Sequence, residues 1–579
     1  PRLGVVLSAC KGVTDALLGL VDQAQRQDDG WQAGLAALRE RHATIVQALL
    51  SAAEATQWLQ RFDRDAADIA GILHTTHIMR SAGQNVRDLV AGYGEIWSTS
   101  LFVPFLAARR GAAAAPVRWL DARRCVVVEW GALGPAVQWE ASRAKLAAEV
   151  AADYPGTLVI TGFIASDAQG IQTTLGRNGS DFSASVFGAL LDAAEIHIWT
   201  DVDGVLSADP RRVPNAQVID SLSYNEAMEL AYFGAKVIHP QTMAPAVGRS
   251  IPIYIRNTFN ASGPGTLICA KPESPLTVKG ITTIEGIALV NIEGAGMIGV
   301  PGTAHRLFGA LREEAISVIL ISQGSSEHSI CCAIPQDQAE RALRVVRAAF
   351  RRELDEGQIQ SVEAATDLAI LAVVGDGMAG TPGVSAKVFN ALGAAAVDVR
   401  AIAQGASERN ISVVVDGRQA TRALRATHAS FYLSPNTLSI GVIGPGTVGR
   451  VLLDQLASQQ ARLSREFKLD LRVRGIMGSK RMLLSEHGTD LDHWRDELEA
   501  LATPADLKRF IEHVQVDYLP HTVIIDCTAD GEIASHYRDW LAAGIHVVTP
   551  NKKANSASMA YYDSLRAARR AGGSHYLYE

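Results

Sequence analysis

Two hydrophobic periodicities alternate along the first 270 residues. Short apolar runs read as buried strands of an α/β sheet: Leu158-Val-Ile-Thr-Gly-Phe-Ile164 and Glu195-Ile-His-Ile-Trp-Thr200. Gly4-Val-Val-Leu7 predicts a further buried strand, already under way at the chain's start. Between the first two strands, Ser183 to Ala193 is small and apolar, as a packed helix is. Residues 31–90 are rich in Ala, Gln, Arg and Leu and predict surface helices. Ser223-Tyr-Asn-Glu226 fits a capping box that opens a helix through Leu230. Pro264-Gly265 and Pro272 to Pro275 mark the first boundary.

Beyond that boundary the pattern repeats itself. Shifted by 81 positions, residues 294–330 match 375–411 at 17 of 37 places, among them Pro301-Gly302/Pro382-Gly383, Phe308/Phe389 and Gln323-Gly324/Gln404-Gly405. Each copy reads strand, Gly/Pro turn, amphipathic helix, strand, polar loop, strand. Two copies of one βαββ-type unit follow from that density of matches. Duplication alone does not say whether the pair senses a ligand or only packs.

A third region opens with the strand Ser439-Ile-Gly-Val-Ile443, followed directly by Gly444-Pro-Gly-Thr-Val-Gly449 and a helix from Val451 to Leu456. Leu471 to Met477, Thr522 to Thr528 and His546 to Pro550 read as further parallel strands. A GxGxxG loop between a strand and a helix is the context of a dinucleotide cradle, although a tight strand-helix turn would look similar. The second strand ends in Gly478-Ser-Lys-Arg481, without an acid to accept a ribose 2′-hydroxyl. Ser479, Lys480 and Arg481 suit a 2′-phosphate, so NADP(H) is expected over NAD(H).

Bulk properties narrow the classes. The 579 residues are 48% hydrophobic and 20% charged, with a formal net charge of −7. That is ordinary globular composition for three to four domains, and gives no reason to expect nucleic acid or a membrane as partner. Six cysteines without a CxxC pair or regular framework suit a reducing, cytoplasmic setting. The chain begins at Pro1 without Met and ends in Tyr576-Leu-Tyr-Glu579, which resembles a strand cut short. The expectation is an internal piece of a longer polypeptide.

The densest chemical signal is Leu175-Gly-Arg-Asn-Gly-Ser-Asp181, after a strand and before a helix. Gly176 and Gly179 let backbone N–H groups approach an anion, and the helix N-terminus adds positive dipole. Arg177 can clamp a carboxylate or phosphate, and Asp181 can hold an amino group or a metal. A plain Gly-rich turn would share the glycines. Thr200-Asp-Val-Asp-Gly204 and Ala208-Asp-Pro-Arg211 crowd carboxylates at a strand's C-terminal end, where α/β proteins bind ligands.

In this order, with Ser8-Ala9 through Thr14, Gly94-Glu95 with Ser98, and Gly234-Ala-Lys-Val-Ile-His-Pro240, these segments resemble the aspartate kinases of the amino-acid-kinase fold over residues 3–270. The resemblance implies that Ser8, Thr14, Glu95, Ser98, Arg177 and Asp181 surround aspartate. It implies that Thr200, Asp201, Arg211 and Lys236 contact ATP, with Mg²⁺ accompanying the nucleotide. Arg177 and Asp181 are the expected catalytic pair. Two departures stand out: the family's Lys-Phe-Gly-Gly phosphate loop does not precede Ser8, and Leu206 stands where many relatives carry tyrosine.

The repeat resembles paired ACT domains. In threonine-sensitive relatives each unit binds the effector through a Gln, at positions matching Gln323 and Gln404. The third region resembles the nucleotide-binding half of homoserine dehydrogenases. There Gly444, Gly446, Thr447, Val448, Gly449, Ser479 and Lys480 would hold the cofactor, and Thr528 and Lys552 would line its nicotinamide side. Lys552 would lie near the reacting carbonyl. The whole order resembles bifunctional aspartokinase/homoserine dehydrogenases, with a kinase catalytic domain at 1–275, ACT domains at 276–362 and 363–436, and an incomplete Rossmann NAD(P)-binding domain at 437–579. The expected fold is therefore α/β and multidomain: a three-layer αβα kinase, tandem ferredoxin-like βαββαβ units and a Rossmann sheet. Implied small molecules are aspartate, ATP, aspartate semialdehyde, NADPH and the effector L-threonine. A homo-oligomer, dimer or tetramer, is implied as well.

Overall fold

The computed structural model describes residues 3–111, 114–131, 134–176, 178–234, 239–432, 437–467, 469–516, 519 and 521–579. The chain divides into two compact units. One comprises Pro1–Val205, Ile219–Tyr232 and Lys236–Ser274; the other comprises Leu206–Val218, Phe233–Ala235 and Pro275–Glu579.

The first unit is α/β. Strand Thr157–Thr161 lies between Leu3–Leu7 and Val117–Leu120, all parallel. A four-stranded sheet runs in the order Ile196–Thr200, Ile253–Asn257, Thr266–Cys269, Ser221–Ser223. The apolar run at the chain's start is thus an edge strand, not a buried one; Leu3 is 47% exposed. The run at 158–164 is also broken. It stops at Thr161, turns through Gly162 and Phe163, whose φ is 64°, and resumes as Ile164–Ser166. A side chain at 162 would come within 2.9 Å of the Leu7 carbonyl oxygen, so the glycine is required there.

The Ala- and Arg-rich stretch folds as Gly30–Leu49, Ala52–Met79 and Gln84–Ala91. Its helices are less superficial than composition suggests. Trp31, Trp58, Phe62, Ile69 and Leu73 form a core with Leu17 and Trp97. Both halves of the expected capping box are present, the Ser223 hydroxyl accepting from Glu226 N (3.0 Å) and the Glu226 carboxylate from Ser223 N (2.8 Å). The helix continues to Tyr232.

In the second unit the repeat forms one six-stranded antiparallel sheet, ordered Leu320–Gln323, Ser329–Pro335, Gly280–Glu293, Ser361–Val374, Asn410–Asp416, Val399–Gln404. The two central strands are long and exchange partners. Gly280–Ile284 pairs with the later half of Ser361–Val374, and the register shifts between Ile284 and Leu289. Ile281 accordingly lies in the core of the second copy, and Val362 in that of the first.

The C-terminal sheet has seven strands, ordered Thr503–Pro504, Arg481–Leu484, Asp470–Met477, Thr437–Ile443, His521–Asp526, His546–Thr549, Tyr576–Tyr578. The last five in that order are parallel, and Thr437–Ile443 sits at the point where strand order reverses. Ligands in such sheets lie over the strands' C-terminal ends at that point.

Candidate functional site

The kinase-like loops converge on a cavity of about 680 Å³ within the first unit. Ser8, Thr14, Glu95, Asp181 and Thr200 all line it, so five of the expected site residues come together. Gly94 permits this: a Cβ there would lie 2.7 Å from the Ala9 Cβ, so glycine lets the 8–12 loop rest on the start of helix Tyr93–Arg110. Glu95 in the first turn is 3% exposed. One carboxylate oxygen accepts from Ala9 N at 3.2 Å, and the other is buried without a hydrogen bond. Burial pushes the Glu95 carboxyl up to about 7.

Ser98 is placed differently. Its hydroxyl donates to the Ser8 carbonyl oxygen at 2.7 Å, so it fixes the loop while not itself lining the cavity. On the opposite wall the helix begins at Gly179, earlier than the apolar pattern suggests. Asn178 holds φ 53° and Gly176 φ 75°, and these left-handed residues turn the loop into the helix N-terminus. A Cβ on Gly179 would meet the Phe163 ring at 2.6 Å. Asp181 sits in the first helical turn, where the dipole favours a carboxylate, yet burial dominates and raises it to about 6. The buried Glu95 carboxyl and the half-buried Asp181 carboxyl thus face a cavity that ends on a helix N-terminus: a match for a small molecule bearing both an ammonium and a carboxylate.

Arg177 and Lys236 lie outside the described residues. The Thr200 hydroxyl and Asp201 carboxylate are 3.3 Å apart. Arg211 belongs to the second unit, where it forks onto Asp209 at 2.8 and 3.0 Å. The expectation singled it out as an ATP ligand; in this structure its guanidinium is engaged by its own turn. Sequence reasoning missed Asp88. It is 5% exposed, lines the cavity, and accepts from Gln84 Nε2 (2.7 Å), the Thr173 hydroxyl (3.1 Å) and Thr174 N (3.3 Å). The signal available was an acid on the apolar side of a short helix.

In the repeat, Gln323 lines a cavity of about 270 Å³ with Met297, Thr303 and Glu327. Glu327 and Glu408, both at positive φ, accept from the N–H of Gly299 and Gly380 at 2.7 and 2.8 Å, so the two loops are built alike. They differ at the glutamine, since Gln404 Oε1 accepts from the Ser385 hydroxyl at 3.4 Å.

In the C-terminal sheet the three glycines separate by role. A Cβ on Gly449 would lie 2.2 Å from the Gly444 carbonyl oxygen, and one on Gly444, at φ 84°, would lie 2.7 Å from the Thr528 methyl. A Cβ on Gly446 would meet nothing within 4 Å. The open space at Gly446 fits close backbone approach of a pyrophosphate. Thr447, at the start of helix Thr447–Phe467, and Val448 are exposed at that helix's first turn. Ser479, Lys480 and Lys552 are exposed too. Arg481 donates to the carbonyl oxygens of Glu499 (3.3 Å) and Ala502 (3.4 Å).

The amino acid kinase family model matches residues 1–257, the ACT domain model matches 290–350 and 371–431, and that of the homoserine dehydrogenase NAD binding domain matches 444–579. The chain is 46% identical to a chloroplastic bifunctional aspartokinase/homoserine dehydrogenase of Daucus carota, over 99% of its own length and 63% of the relative's. It is 40% identical to that of Haemophilus influenzae, over 89% and 63%.

The chain belongs to the bifunctional aspartokinase/homoserine dehydrogenase family.

It spans under two thirds of those relatives' length. Escherichia coli aspartokinase III in complex with aspartate and ADP superposes with a TM-score of 0.60 at 28% identity, over 74% of this chain and 93% of that one. In this chain the amino acid kinase region, the ACT pair and the NAD-binding domain follow one another in that order. Among the described residues no helix is long and apolar enough to cross a membrane.

Proposed function

We propose that the first unit transfers the terminal phosphate of ATP to the side-chain carboxylate of L-aspartate, giving 4-phospho-L-aspartate. The observation that carries this reading is that the buried Glu95 carboxyl and the half-buried Asp181 carboxyl, in the first turn of helix Gly179–Leu190, line one cavity. An α-ammonium would pair with these carboxyls, whose proton affinity is raised by burial. Backbone N–H groups at 178–180, with Arg177, would take carboxylate or phosphate oxygens. Thr200 and Asp201 stand on the nucleotide side. The side-chain carboxylate of aspartate is ionised at neutral pH and needs no general base. Catalysis is then positioning and charge stabilisation, with Mg²⁺ arriving on the ATP phosphates. The solved relative in complex with aspartate and ADP supports the same pairing of ligands.

The C-terminal domain in this reading supplies the NADP(H) site of a homoserine dehydrogenase, which reduces aspartate semialdehyde to homoserine. The cofactor would supply hydride. The chain's own part is the glycine cradle, Ser479 and Lys480 toward a 2′-phosphate, and Thr528 and Lys552 at the other end. The ACT pair would bind L-threonine through Gln323 and Gln404 as feedback control, in a homo-oligomer of two or four chains.

ATP-dependent trapping of the acyl phosphate by hydroxylamine tests the kinase reading. L-aspartate should give hydroxamate, and L-glutamate should not. Nucleotide consumption independent of aspartate would refute it.

A further inference from the structure

The C-terminal sheet contains a buried polar line that the glycine cradle does not explain. Asp526 ends its strand opposite Ile443 and is fully buried. One carboxylate oxygen accepts from Thr528 N at 2.8 Å; the other accepts from Asn551 Nδ2 at 3.0 Å and from the Tyr537 hydroxyl. Its backbone carbonyl accepts from the Thr549 hydroxyl at 2.8 Å. The Thr549 oxygen in turn accepts from Asn551 N at 2.9 Å, and Asn551 Oδ1 accepts from Lys553 N at 3.0 Å. Asn551 Nδ2 also donates to the Asp530 carbonyl oxygen at 2.9 Å. Two loops, 527–530 and 549–553, are thereby hung from one carboxylate.

The 527–530 loop borders the cradle, since the Thr528 methyl covers Gly444. In a doubly wound sheet the adenosine half of a dinucleotide lies toward the strand after the glycine loop, here Asp470–Met477. The other half then lies over His521–Asp526 and His546–Thr549. Tyr537 and Asp526 are both wholly buried, so neither touches a ligand. Tyr537, held as a permanent donor by burial, locks the carboxylate in one orientation.

We infer that Tyr537 is a positioning residue for the nicotinamide half of the dinucleotide, acting through Asp526 and Asn551 on the 549–553 loop. The inference rests on the dinucleotide reading above. A purely structural role would weaken every ligand of the domain alike; a positioning role weakens only ligands that reach the 549–553 loop.

The test compares Tyr537→Phe and Asn551→Ala with the unaltered full chain. NADPH affinity is read by fluorescence, and that of adenosine 2′,5′-bisphosphate, which carries only the adenosine half, by competition. Either folded variant should bind NADPH roughly tenfold or more weakly, with the bisphosphate unchanged within about twofold. Equal weakening of both ligands, or of neither, overturns the inference while leaving the dinucleotide site intact. If the unaltered chain binds neither NADPH nor NADH, the dinucleotide reading itself fails and this inference falls with it.

Discussion

Ser207 Oγ lies 2.9 Å from Nε2 of His428, on a helix of the second ACT copy, and both residues are buried. The Ser207 oxygen also accepts from Gln217 N at 2.9 Å, so its proton is free to go to a neutral imidazole. His428 stacks on Tyr432 with ring centroids 4.5 Å apart. The loop after strand Ile196–Thr200 therefore contributes its 206–218 segment to the core of a regulatory-type fold, where Ala208 and Val213 join Ile281 and Leu424.

Burial lowers His428 to about 4, against about 6.5 for a free imidazole. The unfolded chain binds a proton there between those values and the folded chain does not. Stability should thus fall as pH drops from 6.5 to 4, by up to about 3 kcal/mol from this residue. Denaturant unfolding of the unaltered chain and His428→Gln across that range checks it. The difference between them should shift with pH; parallel curves would show that His428 is not buried neutral.

Glu95 runs the other way. Its carboxyl is raised to about 7, so the folded chain keeps the proton that the unfolded chain loses near 4.5. This contribution is complete below pH 4.5 and disappears as pH rises through 7. Glu95→Gln should therefore be more stable than the unaltered chain at pH 8, by up to about 3 kcal/mol, and equal at pH 4. The same substitution should weaken aspartate binding. Thermal unfolding at both pH values reads the first effect, and a stabilised variant with intact affinity would exclude the role given to Glu95.

The glycine cradle separates fold from function by position. Gly449→Ala drives a methyl to 2.2 Å from the Gly444 carbonyl oxygen and should destabilise the C-terminal domain by roughly 2–3 kcal/mol. Gly446→Ala meets open space and should leave the unfolding midpoint unchanged. It should still weaken NADPH binding about tenfold or more, by obstructing the pyrophosphate. Paired calorimetry and cofactor titration distinguish the two.

Much of this organisation is legible in the sequence. The 81-residue repeat, the glycine loops and the order of motifs identify each region, because glycine positions and apolar periods answer to local geometry. What escapes is non-local. Strand 280–293 reads as one element, yet its halves serve different cores, and only pairing with 361–374 reveals that. Asp209-Pro-Arg211 reads as a ligand loop, but its fork onto Asp209 and its anchorage through Ala208 and Val213 are set by contacts that the sequence does not show. The contacts of Arg481 with two carbonyls at the C-terminus of helix Trp494–Leu501 are likewise invisible in the sequence. Asp88 has no motif at all; its hydrogen bonds and its place in the cavity wall come from strand Gln172–Thr174 arriving next to it.

The two ACT loops should fill unequally. Gln323 opens on a cavity, whereas Gln404 must first release Ser385. Threonine titration should show two sites, with Gln323→Ala removing the tighter and Gln404→Ala the weaker. Ser385→Ala should narrow the gap between them. Identical affinities in the unaltered chain would contradict this ordering.

The central claim is that the cavity between Glu95 and Asp181 receives aspartate. Calorimetric titration of L-aspartate at pH 7.5, with a non-hydrolysable ATP analogue and Mg²⁺ present, tests it most directly. One site per chain is expected, weakened about tenfold or more in Glu95→Gln and in Asp181→Asn. Binding that is unaltered in both variants would place aspartate elsewhere and contradict the account.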